Sequence, residues 1–429
     1  MRHQDIAAFL ASVAAVTIGL GALHILPLHP AAALGLVFIG SSAAYLWMCR
    51  ETLRAGLSNG LVWATLGLGI LIRLSFFTSE PVGSDDVYRY VWDGKVQAAG
   101  INPYRYAPDD PTLGDLHSSL LPGAVNHPEM KTVYLPFSQW LFLLAFWIAG
   151  ESLWGLKAML LIAEAATITG LLLLLSHLKL PRRLVLLYAL CPLPILAFAL
   201  DAHVDGFGLP LFIVGLLYHL RGRPVFGLLL LGLSMSVKPV ALVVLPVLFF
   251  QARTGTDRVR IAVLPLAVAL LPFVPYALEI NPLESISTFA RHWLFNGAFF
   301  ELVRSFVQDN QHARLICAAA LGVSLVLLQF TRHDVLRKAA FSVFLLLLFS
   351  PVVHPWYVTW LVVLLPAVPL RSGMVYAASV SLAIITLVEY RLTGAWDQHP
   401  IILVLEYAPV VALFLPEVAG KVRVRLRNS

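Results

Sequence analysis

The side chains best suited to chemistry open the stretch Gly83-Ser84-Asp85-Asp86, which runs on as VYRYVWDGKVQAAG and stops at GINPY. Two adjacent carboxylates at the start of a helix repel each other, and a close pair raises one pKa into the range that suits a general base. One of the two acids has a plainer use as a helix N-cap. A cap needs one acid, so the second calls for another explanation. Arg89 and Lys95 follow closely enough to be ion-pair partners of the acids. Tyr88, Val91 and Trp92 recur at helical spacing, giving this helix a face for the bilayer surface.

Other candidates lie far apart in the chain. Lys238 sits inside the apolar run SMSVKPVALVV, where a charge costs about 2.5–3.5 kcal/mol on insertion scales. It either snorkels to an interface or meets an anion such as a phosphate. Arg291 and His292, in FARHWLFNGAFF, offer paired and single donors for a phosphate, although a loop arginine is more often simply solvated. His354 precedes Pro355, Trp356 and Tyr357. It reads as a cap or as a hydrogen-bonding group, and the two rings as a surface for stacking on sugar or packing on lipid. Asp201-x-His203-x-Asp205 contains ligand types, but its spacing is no recognised metal motif. A polar turn or acceptor contacts explain it more simply, and no metal site is assigned. Glu164 stands in a long apolar run and should face the bundle interior. No Walker A, Rossmann or HExxH motif is present, which argues against nucleotide-driven chemistry.

These residues must be positioned by a chain of 429 residues that is 59% hydrophobic and 13% charged. Soluble domains carry about a quarter charged residues, so a soluble core is excluded. Apolar runs near bilayer length recur throughout, at 6–26, 31–49, 59–77, 136–150, 153–177, 183–200, 204–220, 225–250, 259–278, 312–330, 337–352, 355–370, 373–390 and 400–416. The expectation is an all-α polytopic membrane protein, one integral domain over 1–429, interrupted by polar loops at 78–135 and 279–311. The N-terminal run is read as a retained first span, since another apolar run follows directly. Cys49, Cys191 and Cys317 show no paired spacing, so neither a disulfide framework nor a zinc site is implied. The net charge of +6 reflects basic residues in short loops and in the tail KVRVRLRNS, as the positive-inside rule expects, and not nucleic acid. That rule puts both long loops, DAHVDG, SPVVHPWY and EYRLTGAWDQHP on the outer side. Residues 225–250, flanked by basic residues at both ends, must then form a hairpin broken at Lys238-Pro239. The stretch 136–177 looks like two spans where the rule demands an odd number.

The stretch from Asp85 to Gly100 resembles the polyprenyl-phosphate-sugar-dependent glycosyltransferases of the GT-C class, particularly bacterial α-1,6-mannosyltransferase-like members. Those enzymes open their first large extracytoplasmic loop with an acid pair and an aromatic helix that ends at glycine. NHPEMKTVYLP is similar to the family's Tyr-Pro-Pro entry into the next span, with Leu135 in place of the first proline. HPWYVTW matches a His-Pro-Trp-Tyr element of related mannosyltransferases. The resemblance implies a GT-C-like bundle of about 11–14 spans in a bacterial plasma membrane. It implies inverting transfer of a hexose, mannose above others, from a polyprenyl-phosphate donor to a glycolipid, glycan or protein hydroxyl at the outer face. On that pattern Asp85 is the base and Asp86 tunes it or holds acceptor. Lys238, Arg291, His292, His354, Trp356 and Tyr357 would meet the donor's phosphate or sugar. Arg89, Asn102, Tyr104, Asn126, His127, Asp201, His203 and Asp205 would serve acceptor contacts or structure. No cofactor is required, and a divalent cation stays compatible with the residues. The main alternative is a transporter or flippase of lipid-linked sugars with Lys238 and Glu164 on its pathway. Inverted repeats would mark such a protein, and the polar material here is unequal between the halves. An outer-face polymerase or ligase, relying on late-loop arginines, is a second alternative.

Overall fold

A backbone that crosses a bilayer must satisfy its own hydrogen bonds, and for long apolar runs the helix is the local solution. A computed structural model describes residues 3–278 and 280–420. The basic tail, read above as cytoplasmic, occupies 421–429 and lies outside the described residues. Among those residues the protein is helical, with no strand beyond an isolated bridge joining Phe295 and Asn296 to Val352. In chain order we name α1 (His3–Gly21), α2 (Pro30–Arg54), α3 (Asn59–Ser75), α4 (Asp86–Ala98), α5 (Pro136–Ala149) and α6 (Trp154–His177). After a broken segment over 182–200 come α7 (Asp205–Leu220), α8 (Pro224–Met235), α9 (Gly255–Leu270), α10 (Asn310–Gln329), α11 (Val335–Phe349), α12 (Ile384–Thr393) and α13 (Pro400–Val418).

Seven described helices are long and apolar enough to cross a membrane, or eight if the pair Arg182–Ala189 and Pro192–Leu200, bent by 51°, is one span. Five shorter apolar helices accompany them. The protein is therefore a multi-pass, all-α membrane protein, with a mixture of full and partial spans where the sequence suggested a uniform series. Helix starts follow local chemistry. Ser58 accepts from the Leu61 amide at the head of α3, Asp309 from His312 at α10 and Asp334 from Arg337 at α11. Each satisfies an amide that the helix itself cannot. Proline stands at the first turn of α2, α5, α8 and α13, where its missing N–H does no harm.

Two segments depart from the expected spans. Residues 225–250 break at Lys238, whose extended backbone separates α8 from a 3-10 turn and a short helix, Leu245–Gln251. The break falls at Lys238-Pro239, where the sequence placed it. Residues 355–370, expected to span, instead form a 3-10 turn, one short helix (Thr359–Val362) and further turns. Pro355, Pro366 and Pro369 deny the run a continuous ladder. The segment is buried by the protein, with Val358 and Trp360 to Leu365 fully covered, and irregular backbone at membrane depth is tolerated only under such cover.

Polar groups in the apolar interior pair with each other. Glu164 of α6 accepts from Arg73 of α3 at 2.9 Å and from the Tyr188 hydroxyl, and Arg73 also donates to the Ala189 carbonyl at 2.7 Å. Both charged side chains are 2% exposed, so α3, α6 and the broken segment are fastened at a site where neither charge has water. Glu164→Ala strands a buried guanidinium and should destabilise the protein by about 3–5 kcal/mol. The paired change Arg73→Leu with Glu164→Leu should recover most of that loss. Thermal melting in detergent checks both, and an unshifted midpoint for the single variant would refute the brace.

Candidate active site

The acid pair is presented by the junction between the loop after α3 and α4. Here the chain leaves a π-helical turn (Ile195–Leu200) at Asp201, and Ala202 adopts a left-handed φ of 56°. That turn aims Asp201 at the loop, where its Oδ1 accepts from the amides of Val82 and Gly83, each at 2.9 Å. A Cβ on Gly83 would run into the Asp201 carboxylate, so the approach requires glycine. Ser84 Oγ accepts from the Asp86 amide at 3.2 Å. Asp85 occupies the N-cap position without capping, which excludes the plain reading of that acid.

The two carboxylates diverge. Asp85 bonds through both oxygens to Arg391 Nη2 of α12, at 2.8 and 2.7 Å, with both side chains about a third exposed. Asp86 turns inward, where Asn126 donates to its Oδ1 at 2.9 Å and His203 Nδ1 lies 3.7 Å from its Oδ2. His203 is fully buried and stacks on Trp356 with centroids 3.6 Å apart. Trp356 stacks in turn with His354 at 4.5 Å, His354 with Phe295 at 4.8 Å, and Phe295 meets Trp396 at 5.4 Å. Beside this stack, Lys238 donates to Asp205 at 2.8 and 3.0 Å and sits 3.3 Å from the centre of the Tyr357 ring. Trp360 Nε1 donates to the same Asp205 at 2.7 Å.

Burial sets the protonation of the loop groups. It pushes Asp86 up, with Asp205 and Asp85 adding repulsion, while the Asn126 hydrogen bond and Lys238 pull it back. Burial also takes Asp201 up to about 7, against the two backbone donors. His354 is pushed down to about 3, first by burial and then by Lys238. His203 falls well below its ordinary value for the same reasons. Both histidines are therefore neutral near pH 7, and His203 approaches Asp86 as a neutral ring. Neither ring nitrogen of His203 has a hydrogen-bond partner among the described residues.

Residues separated by 306 positions thus meet in one cluster that holds Asp85, Asp86, Asn126, His203, Asp205, Lys238, His354, Trp356, Tyr357 and Arg391. Asp201 sits at its edge as the clamp on the loop. Other candidates stand elsewhere. Arg89 is bound to Asp93 at 2.9 Å, which also accepts from Thr132 and Gln139, and Lys95 is bound to Glu151 at 2.5 Å. Neither pairs with Asp85 or Asp86, contrary to the expectation from sequence proximity, because on α4 both point to other neighbours. Asn102 donates to the Tyr276 carbonyl and Tyr104 to that of Tyr134, so both tie down the loop. His127 contacts Glu129 and Trp293. Arg291 and His292 are exposed on the helix Glu284–His292, and neither side chain bonds to the cluster. Asp201, His203 and Asp205 engage three different partners. No group of three His, Cys, Asp or Glu among the described residues is arranged to hold a metal. Arg391 and Trp360 were not singled out from the sequence. The only signal for Arg391 was its place in a loop assigned to the same side as the acids.

Comparison with known proteins bears on this cluster. Residues 8–253 match the family model described as alpha-(1->6)-mannopyranosyltransferase, N-terminal domain, and residues 296–416 match the MptB C-terminal domain. The first segment supplies Asp85, Asp86, His203, Asp205 and Lys238, and the second supplies His354, Trp356, Tyr357, Trp360 and Arg391. An alpha-(1->6)-mannopyranosyltransferase A of Mycobacterium tuberculosis is 25% identical over 349 residues, which is 71% of this chain. The chain spans 65% of that relative's length. No solved structure matches.

Two outcomes follow from the geometry. Gly83→Ala should displace the start of α4 and lower turnover by about tenfold or more, since small misplacements of reacting groups carry large rate losses. Parent-like kinetics in that variant would mean the clamp is dispensable. In the pH–rate profile, Asn126→Ala should move the acid limb to higher pH, because it removes a hydrogen bond that favours ionised Asp86. His354→Gln should leave that limb in place, His354 being neutral throughout. An acid limb that follows His354 would overturn the assignment of the titration to the carboxylates.

Proposed function

The chain belongs to the alpha-(1->6)-mannopyranosyltransferase family, and on that premise we propose that it transfers mannose from a polyprenyl phosphate to an acceptor hydroxyl at the extracytoplasmic membrane face, with inversion. The observation that carries this reading is the convergence of an acid pair, neutral histidines and stacked aromatics from both matched segments. Asp85 is the more accessible acid and takes the acceptor proton as that oxygen attacks the anomeric carbon. The new C–O bond forms as the bond from that carbon to the phosphate oxygen breaks, and polyprenyl phosphate leaves with the electron pair. Attack opposite the leaving group inverts the anomeric centre. Asp86, buried beside it and held by Asn126, orients the acceptor and sets the local charge. Trp356, sandwiched between His203 and His354, presents with Tyr357 aromatic edges beside the acids, apolar surface for a sugar or isoprenoid to pack against.

The lysine has a different part from the one its sequence context suggested. Lys238 is neutralised by Asp205 and covered by Tyr357, so it braces the cluster and contributes only long-range charge to a phosphate. The transporter alternative drew on Lys238 and Glu164 as pathway charges. Both are paired inside the protein, which weakens it.

The test uses purified protein in lipid, radiolabelled polyprenyl-phosphate mannose and an extract of the native membranes. Parent protein should move label to a new product, and Asp85→Asn should reduce transfer by about 10²–10⁴-fold, the range of general acid–base contributions. Equal transfer by both would remove Asp85 from the role of base. No transfer from any of a panel of lipid-linked sugars, with the protein folded, would turn the reading to transport.

A further inference from the structure

A carboxylate with both oxygens turned onto an arginine is not free to take up hydrogen-bonding position on a substrate hydroxyl. The contact between Asp85 and Arg391 therefore requires an account. Arg391 engages Asp85 through Nη2 alone, and Nη1 and Nε have no acceptor among the described residues. The guanidinium thus keeps a free edge in a place where both side chains are about a third exposed. Exposed pairs of this kind contribute little and exchange readily. The other cation of the cluster has no such freedom, since Asp205 and Tyr357 hold Lys238. Next to Arg391, Tyr390 packs on Trp396, which leads through Phe295 and His354 to Trp356. An anion at Arg391 would lie against Asp85, on the helix whose Tyr390 meets the end of the aromatic stack.

We propose that Arg391 is the docking cation for the phosphate of the lipid-linked donor, and that in the empty protein it masks Asp85. The proposal rests on the reading that this cluster takes a lipid phosphate. Guanidinium and phosphate form paired charge-assisted hydrogen bonds, and a phosphate outcompetes one solvated carboxylate for the same fork. When the donor arrives, Arg391 turns from Asp85 to the phosphate. The carboxylate is then released to accept the acceptor proton, so the base becomes competent only once a donor is in place. No covalent bond changes in this step; one ion pair replaces another.

Binding of polyprenyl phosphate, without a sugar, to the full chain in nanodiscs tests this, with the matching polyprenol as control. The parent should prefer the phosphate. Arg391→Gln should weaken phosphate binding by about tenfold or more, as expected for loss of charge-assisted hydrogen bonds, and Arg391→Lys should restore part of it. Asp85→Asn frees the guanidinium and should tighten phosphate binding several-fold in the parent background but not beside Arg391→Gln. A merely structural ion pair would give no such dependence, and melting midpoints identify any variant that fails to fold. Unchanged phosphate affinity in a folded Arg391→Gln or Arg391→Lys protein would overturn the assignment to Arg391 and leave the donor reading standing. A parent that does not distinguish phosphate from alcohol would overturn both.

Discussion

Asp201 holds the loop by its backbone, and the geometry of the cluster depends on that contact. Its carboxylate accepts from the amides of Val82 and Gly83, so the entry to α4 is fixed relative to the π-helical turn of the bundle. Because the grip is on backbone and not on a side chain, it sets the direction in which the next residues leave. Asp85 then faces α12 and Asp86 faces His203 and Asn126. A bare carboxylate pair on a mobile loop would have neither orientation. The glycine at position 83 is what lets the carboxylate approach so closely.

Beneath that contact, the bundle handles charge by pairing it inside the protein. Arg73 with Glu164 and Lys238 with Asp205 each place opposite charges in direct contact, since an unpaired ion at membrane depth is strongly disfavoured. The two pairs differ in consequence. The first is sealed and serves the packing of α3 on α6. The second lies under the cluster, where its partner Asp205 also accepts from Trp360 and so connects the break after α8 to the proline-rich segment that follows His354. The cluster is built where two irregular stretches of backbone meet, and irregular backbone at membrane depth needs the cover of surrounding protein.

The stack from His203 to Trp396 explains why two separately matched segments act together. His203 belongs to one, His354, Trp356 and Trp396 lie within the other, and Phe295 directly precedes it. Stacked rings give an extended apolar surface beside the acids. The burial that the stack creates also keeps His354 and His203 neutral, leaving the carboxylates, Lys238 and Arg391 as the charged groups of the cluster.

Hydropathy alone determined the class of the protein and most of its helices, because a run of apolar residues in a bilayer has a local solution that does not depend on distant neighbours. The same locality made Asp85, Asp86, Lys238 and His354 stand out, as each is unusual for the stretch that holds it. Tertiary structure decided which of them meet and with whom. That Asp205 neutralises Lys238, that Arg89 belongs to Asp93, and that Arg391 reaches back across the chain to Asp85 are facts of packing between distant segments. The turns at 355–370 were likewise unreadable from hydropathy, which scores a buried irregular segment and a spanning helix alike. Charge within a sequence shows that a partner must exist; only the fold selects it.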